Sequence, residues 1–204
     1  MNFTEIRDQI LVKLSDLERE YQQNKGIILT ESDMHCLLFR KIYDLFDHSQ
    51  NTFDTFIQGS PLHSEITFFN EKGKLFYKPD ITIIKPDNYS IIHSISDVII
   101  KDEEIFYKPT ASKMFSFGGD AIIIELKFCR GEKGISKIRP YQEDLRKIKK
   151  IKKLVEQNSS SRMYGIIAIF NKTDKKSGEF EHFLGKNYSK NDIHVRYYTG
   201  KVEV

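Results

Sequence analysis

Cysteine is scarce: the chain has two, Cys36 and Cys129. Their spacing makes neither a zinc-ligand pattern nor a disulfide framework. Cys36 falls in a helical apolar stretch and Cys129 at the end of an apolar strand, so both are expected as buried thiols. No apolar run reaches the roughly 18 residues that a membrane span needs. The opening segment, MNFTEIRDQI, lacks a basic stretch followed by an apolar one. No secretory signal is expected, and the expected location is cytoplasmic. Internal repeats and low-complexity linkers are missing as well. Charge of one sign is only in small excess: 32 Lys and Arg stand against 29 Asp and Glu, a net +3 with a pI near 8.6. That permits binding to a polyanion without indicating it, because the distribution of charge matters more than its sum.

What is present suits one folded domain. The 204 residues are 39% apolar, 30% charged and 12% aromatic, enough to bury a core and too apolar for disorder. Ile6, Ile10, Leu14, Leu17 and Tyr21 recur at helical spacing and predict a helix over about 3–24, with Gly26 as its stop. Thr30 is a good N-cap for a second helix, and Asp33 completes a capping-box-like pair. Its buried stripe is Met34, Leu37, Leu38, Ile42 and Leu45, and Glu31 projects from the same side three residues before Met34. A polar stretch over 47–59 follows, then a strand-like His63–Phe69. A hairpin turn is expected at Glu71–Lys74, with a return strand Leu75–Ile84 that Pro79 places at an edge or a bulge. Residues 86–119 read as an insertion.

Ala121–Phe128 carries the strongest strand signal. A basic helix is expected from Ser136 to Gln157, burying Tyr141, Leu145, Ile148, Ile151 and Leu154. Lys147, Lys149, Lys150, Lys152 and Lys153 crowd its other face. A buried strand Met163–Phe170, a charged loop over 171–179 and a terminal strand Ile193–Thr199 complete the chain. The class is α/β: a central mixed sheet flanked by helices, with a helical pair at the N-terminus.

The candidate chemistry lies in the strands. By the two-residue period, Ile122, Ile124, Leu126 and Phe128 share one side while Glu125 and Lys127 share the other. A carboxylate and an ammonium inside an apolar strand are seldom buried without a partner or a task. Asp80 interrupts a second apolar run just after Pro79, and Glu65 sits within HSEITFF. Carboxylates in strands beside a lysine suit a hard divalent cation such as Mg²⁺, which takes one or two carboxylates plus water and phosphate. The Leu126 carbonyl is a further candidate ligand.

Pro79-Asp80 followed by Glu125-Leu126-Lys127 resembles the PD…ExK signature of the PD-(D/E)xK, or restriction-endonuclease-like, nuclease superfamily. The resemblance spans roughly residues 30–170, including a helical acid ahead of the core and an ExK strand leading into a helix. It implies a restriction-endonuclease-like α/β core, dependence on Mg²⁺ or Mn²⁺, and phosphodiester hydrolysis. It casts Asp80 and Glu125 as metal ligands and Lys127 as the catalytic lysine. Glu31 or Glu65 becomes an additional acid, with Glu65 also a candidate metal ligand, and Gln142 the glutamine some members place near the site. The expected function is a nuclease cutting DNA as an endonuclease, with a role in restriction or anti-phage defence by analogy of fold and a homodimer as an admissible assembly. The sequence departs from the pattern in two ways. The Asp80–Glu125 gap is long, and Arg146 stands where RecB-like exonucleases carry a tyrosine.

Plainer readings remain beside these. Glu125 and Lys127 also suit an ion-pair ladder on a solvated sheet face, and Asp80 suits turn chemistry. Glu31 suits a favourable first-turn acid, and Glu65, Gln142 and His63 suit surface or packing roles. The lysine face is solvated surface or a phosphate contact; Tyr188, Tyr197 and Tyr198 are packing residues or base-stacking ones. The rival functions are a catalytically inactive nuclease-like subunit for nucleic-acid binding or assembly, and a hydrolase of small phosphoesters.

Overall fold

The computed structural model describes residues 2–69, 75–90, 95–101, 104–109, 116–157 and 160–201. Helix α1, Phe3–Gln23, starts where the Asn2 side chain accepts the amides of Thr4 and Glu5, and buries Phe3, Ile6, Ile10, Leu14, Leu17 and Tyr21. Helix α2, Glu31–Tyr43, has the full capping box between Thr30 and Asp33, which satisfies two otherwise orphaned backbone donors. Met34, Leu38 and Ile42 are its fully buried stripe, with Leu37 and Leu45 packed at its margin. Cys36 lies two residues from both Met34 and Leu38, about 200° around the helix. It is therefore exposed, and Cys129 is only partly buried, so the expectation of two buried thiols is corrected.

Five strands form the main sheet: β1 Leu62–Ser64, β2 Ile81–Ile84, β3 Ala121–Cys129, β4 Met163–Asn171 and β5 Ile193–Thr199. Their order is β5-β4-β3-β2-β1. The pairs β3/β4 and β4/β5 are parallel, while β2 runs antiparallel to both β3 and β1. Among the described residues, the architecture is thus α/β with a mixed sheet flanked by four α-helices. Helix α3, Arg139–Gln157, is the crossover between β3 and β4, as parallel neighbours require. It starts three residues later than the sequence pattern indicated, with Pro140 in its first turn, where a missing amide costs nothing.

Helix α4, Gly178–Asn187, connects β4 to β5 and is capped by Ser177. The sequence reading had no helix there. Helices α1 and α2 cover one face of the sheet against Ile122, Ile124, Leu126, Ile166 and Phe170. Helices α3 and α4 cover the other against Ala121, Ile123, Ile167, Ile169 and Val195. Burial on both faces explains the near-continuous apolar runs of β3 and β4. Gly165 allows α3 to lie close: a Cβ there would sit 2.7 Å from Ile148 Cγ2.

The long strands expected at 63–69 and 75–84 are each broken. Glu65 has a positive φ of 56° and ends β1, while Phe68–Phe69 pairs with Leu75–Tyr77 in a separate ladder. Pro79 falls in the gap between Tyr77 and β2, because its missing amide cannot join a ladder. The hairpin turn expected at Glu71–Lys74 lies outside the described residues. Within 86–119, Tyr89–Ser90 pairs with Ser116–Phe117, and Ile95–Lys101 with Glu104–Pro109. Among the described residues, no helix is long and apolar enough to cross a membrane.

Candidate active site

The register of the sheet brings the sequence candidates together. Ile81 pairs with Ile124, so Asp80, one residue beyond the ladder, comes level with Glu125. The Asp80 Oδ2 accepts the Leu126 amide at 2.7 Å. The Asp80 carbonyl accepts the Glu65 amide at 3.0 Å and lies 3.1 Å from His35 Nε2. Leu126 itself turns its side chain into the α1/α2 core, leaving its backbone at the site. Glu125 and Lys127 point to the α3 side, where Asp144 faces them.

Lys127 is the hub. Its Nζ donates to Glu125 Oε1 at 2.6 Å and lies 3.5 Å from Asp144 Oδ2 and 3.8 Å from Glu31 Oε1. Glu31 Oε2 also accepts the Phe128 amide at 3.1 Å, so α2 is pinned to β3 at this point. The second Glu125 oxygen accepts the Tyr77 hydroxyl at 2.5 Å. Lys147 donates to Asp144 Oδ1 at 3.1 Å and lies 5.3 Å from the centre of the Tyr77 ring.

Burial dominates the electrostatics of the two strand acids. It pushes Glu125 up to about 7, against the opposing pull of Lys127 and the Tyr77 hydroxyl. Burial also raises Asp80, although the Leu126 amide and Lys127 favour its charged form. For Lys127, burial disfavours the ammonium, but Glu125, Asp144 and Glu31 outweigh it and raise the pKa. Tyr77 is driven well above the phenol range by burial and by Glu125, so its hydroxyl keeps the proton it donates to Glu125.

Of the residues singled out in the sequence, Asp80, Glu125, Lys127, Glu31 and the Leu126 backbone converge. Glu65 stands at the margin, exposed and paired with Lys78 at 2.9 Å. Gln142 is exposed and lines a groove with Arg146, Lys149, His182 and Lys186 between α3 and α4. It is two residues from Asp144, hence on the opposite side of the helix. His63 packs edge-on to Tyr89, with ring centres 5.5 Å apart. Tyr77, Asp144 and His35 were missed, and Lys147 was read only as part of the lysine face of α3. Asp144 had a readable signal, an acid between Tyr141 and Ile148 in the buried stripe of α3; Tyr77 had none.

Not all of the basic face on α3 is open surface. Lys152 is tied to Glu156, to Asp192 at 3.3 Å and to the Met163 carbonyl at 2.9 Å, whereas Lys149, Lys150 and Lys153 are exposed. Near the C-terminus, Tyr198 stacks on Phe170 at 4.8 Å and Tyr188 carries the Arg196 guanidinium at 3.7 Å.

No family model, curated protein or solved structure matches this chain. Among the described residues, no group of three or more His, Cys, Asp or Glu side chains is placed to hold a metal ion. Asp80 and Glu125 remain as a pair of oxygen donors, and one or two carboxylates suffice for Mg²⁺ when water and phosphate supply the rest. The donor chemistry fits a hard dication. Three acids, Glu31, Glu125 and Asp144, surround Lys127, Asp144 also accepts from Lys147, and Asp80 feels the Lys127 charge. Burial disfavours the charged form of Asp80 and of Glu125.

Proposed function

We propose that the protein is a metal-dependent nuclease of the PD-(D/E)xK type that hydrolyses phosphodiester bonds in DNA. The observation that carries this reading is the convergence of Asp80, Glu125 and Lys127 at one end of the β2/β3 ladder. The Asp80 carboxylate is hydrogen-bonded to the amide between the other two, and Glu125 touches Lys127. Asp80 and Glu125 would hold Mg²⁺ or Mn²⁺, with the Leu126 carbonyl as a further donor. Such an ion supplies charge stabilisation at the scissile phosphate and lowers the pKa of a bound water.

The protein's own groups divide the remaining work. Lys127, held cationic by three carboxylates, offsets charge that accumulates on the phosphate and orients the attacking water, a fixed electrostatic contribution. Asp144 and Glu31 fix the direction of its ammonium. Tyr77 fixes Glu125. The exposed lysines of α3 suit sequence-independent contacts to the phosphate backbone.

The test is cleavage of plasmid, single-stranded DNA and RNA with Mg²⁺, Mn²⁺ or EDTA, comparing wild type with Asp80→Asn and Lys127→Ala. Cutting of DNA is expected with metal only, abolished in Asp80→Asn and slowed about 100- to 10,000-fold in Lys127→Ala. A folded wild type that cuts no nucleic acid under any of these conditions overturns the reading.

A further inference from the structure

Glu31, His35, Phe39 and Tyr43 recur every four residues along α2. They trace one edge of the helix, about 18 Å long at 1.5 Å per residue. The first touches the Phe128 amide and the second the Asp80 carbonyl, so the edge begins at the candidate active site. Beyond it the aromatic rings continue: His35–Phe39 centres are 6.0 Å apart and Phe39–Tyr43 centres 6.4 Å. They line a cleft of about 510 Å³ with Arg40, Asp44 and Ser64, a size typical of ligand sites.

Tyr43 is 46% exposed, yet its ring is held. His48 stacks on one face with centres 3.7 Å apart and planes 14° from parallel. The His48 ring is itself fixed by Ser60 Oγ at 2.7 Å and the Tyr43 carbonyl at 2.8 Å. A large, exposed and pre-ordered aromatic ring costs little entropy to use in binding.

We propose that this α2 cleft binds an unpaired nucleobase of the substrate strand, stacked against Phe39 and Tyr43. The proposal rests on the nuclease reading and narrows its substrate to nucleic acid with a single-stranded or flipped nucleotide beside the scissile phosphate. Three features select a base. Aromatic faces stack on any base. The Arg40 guanidinium, the Asp44 carboxylate and the Ser64 hydroxyl line the same cleft and offer donors and acceptors for a base edge. The edge also starts at the Asp80 backbone carbonyl, 3.1 Å from His35 Nε2, so the proposed strand path runs from a phosphate at Asp80 and Lys127 to a neighbouring base at His35 and Phe39. A base still paired in a duplex has its edge and both faces engaged and cannot enter.

The experiment follows a short single-stranded DNA bearing one 2-aminopurine, and the matching blunt duplex, by fluorescence in EDTA, with cleavage in Mg²⁺ measured in parallel. Quenching is expected when wild type binds the single strand. Tyr43→Ala should lower the ratio of single-strand to duplex affinity about 5- to 150-fold, Tyr43→Trp should restore it, and Arg40→Ala should weaken it in the same sense. Thermal melting confirms that each variant folds. An unchanged ratio in Tyr43→Ala, with wild type still cutting DNA, overturns the cleft and leaves the nuclease reading standing; a cleft that holds a peptide segment gives that result. Tyr43-dependent binding without cutting under any metal supports the cleft and overturns the nuclease. Absence of binding to either DNA overturns the cleft; when nothing is cut in Mg²⁺ as well, both readings fall.

Discussion

The hydroxyl of Tyr77 donates to Oε2 of Glu125 at 2.5 Å, joining a residue from the Phe68–Phe69/Leu75–Tyr77 ladder to the central strand of the main sheet. Both side chains are nearly out of contact with water. Tyr77→Phe would leave a buried carboxylate oxygen short of a donor and is expected to cost about 1–3 kcal/mol in urea unfolding. A variant as stable as wild type would show that Glu125 does not depend on this bond.

Asp144 accepts from Lys147 and faces Lys127, which makes it a positioning residue for the candidate catalytic lysine. Asp144→Asn keeps the shape and removes the charge. Cleavage is expected to fall about 10- to 100-fold, with the loss in kcat and not in KM. A change confined to KM would assign Asp144 to substrate binding.

Under the proposed function, proton and metal compete for Glu125. Its folded value near 7 lies above the ordinary 4.5. In the metal-free protein its contribution to stability is therefore complete below the ordinary value and is lost as pH rises through about 7. Mg²⁺ affinity has the opposite trend, tightening between about pH 6 and about pH 8 as the carboxylate becomes available. Titration calorimetry at several pH values reads this directly, and Glu125→Gln should remove both the binding and its pH dependence.

Gly165 on β4 sets how near α3 approaches the sheet. Gly165→Ala places a methyl against Ile148 and Ile193 and should cost about 1–3 kcal/mol by overpacking. Because α3 also carries Asp144, cleavage should fall in the folded variant as well. Retained activity with reduced stability would separate the helix position from the site.

The two thiols should differ in reactivity. Cys36 is exposed in the α2 cleft while Cys129 is partly buried. Native protein treated with an alkylating reagent is expected to modify Cys36 first, as mass spectrometry of the two peptides would show. Cys36→Ser should change stability by no more than about 0.5 kcal/mol.

Much of the fold was legible because its signals are local. The stripe of α1, the Thr30/Asp33 box of α2 and the apolar runs of β3, β4 and β5 are each written in neighbouring residues. Helix α4 was not legible: GEFEHFLGKN has two glycines and a short polar pattern. Phe180 and Phe183 become a buried face only by packing with Tyr141 and Tyr197. The unbroken apolar reading of Leu75–Ile84 also failed, since composition alone does not say which ladder each half joins.

By itself, the sequence determined that a carboxylate and a lysine share one face of β3, because strand geometry alternates whatever surrounds it. It also determined that an acid follows Pro79 and that another heads α2. Only the tertiary structure decided that these acids meet. The antiparallel register sets Asp80 level with Glu125, α2 leans Glu31 onto Phe128, and α3 crosses close over Gly165 to bring Asp144 to Lys127. Those are relations between segments far apart in the chain, settled by which faces bury together and not by any local preference.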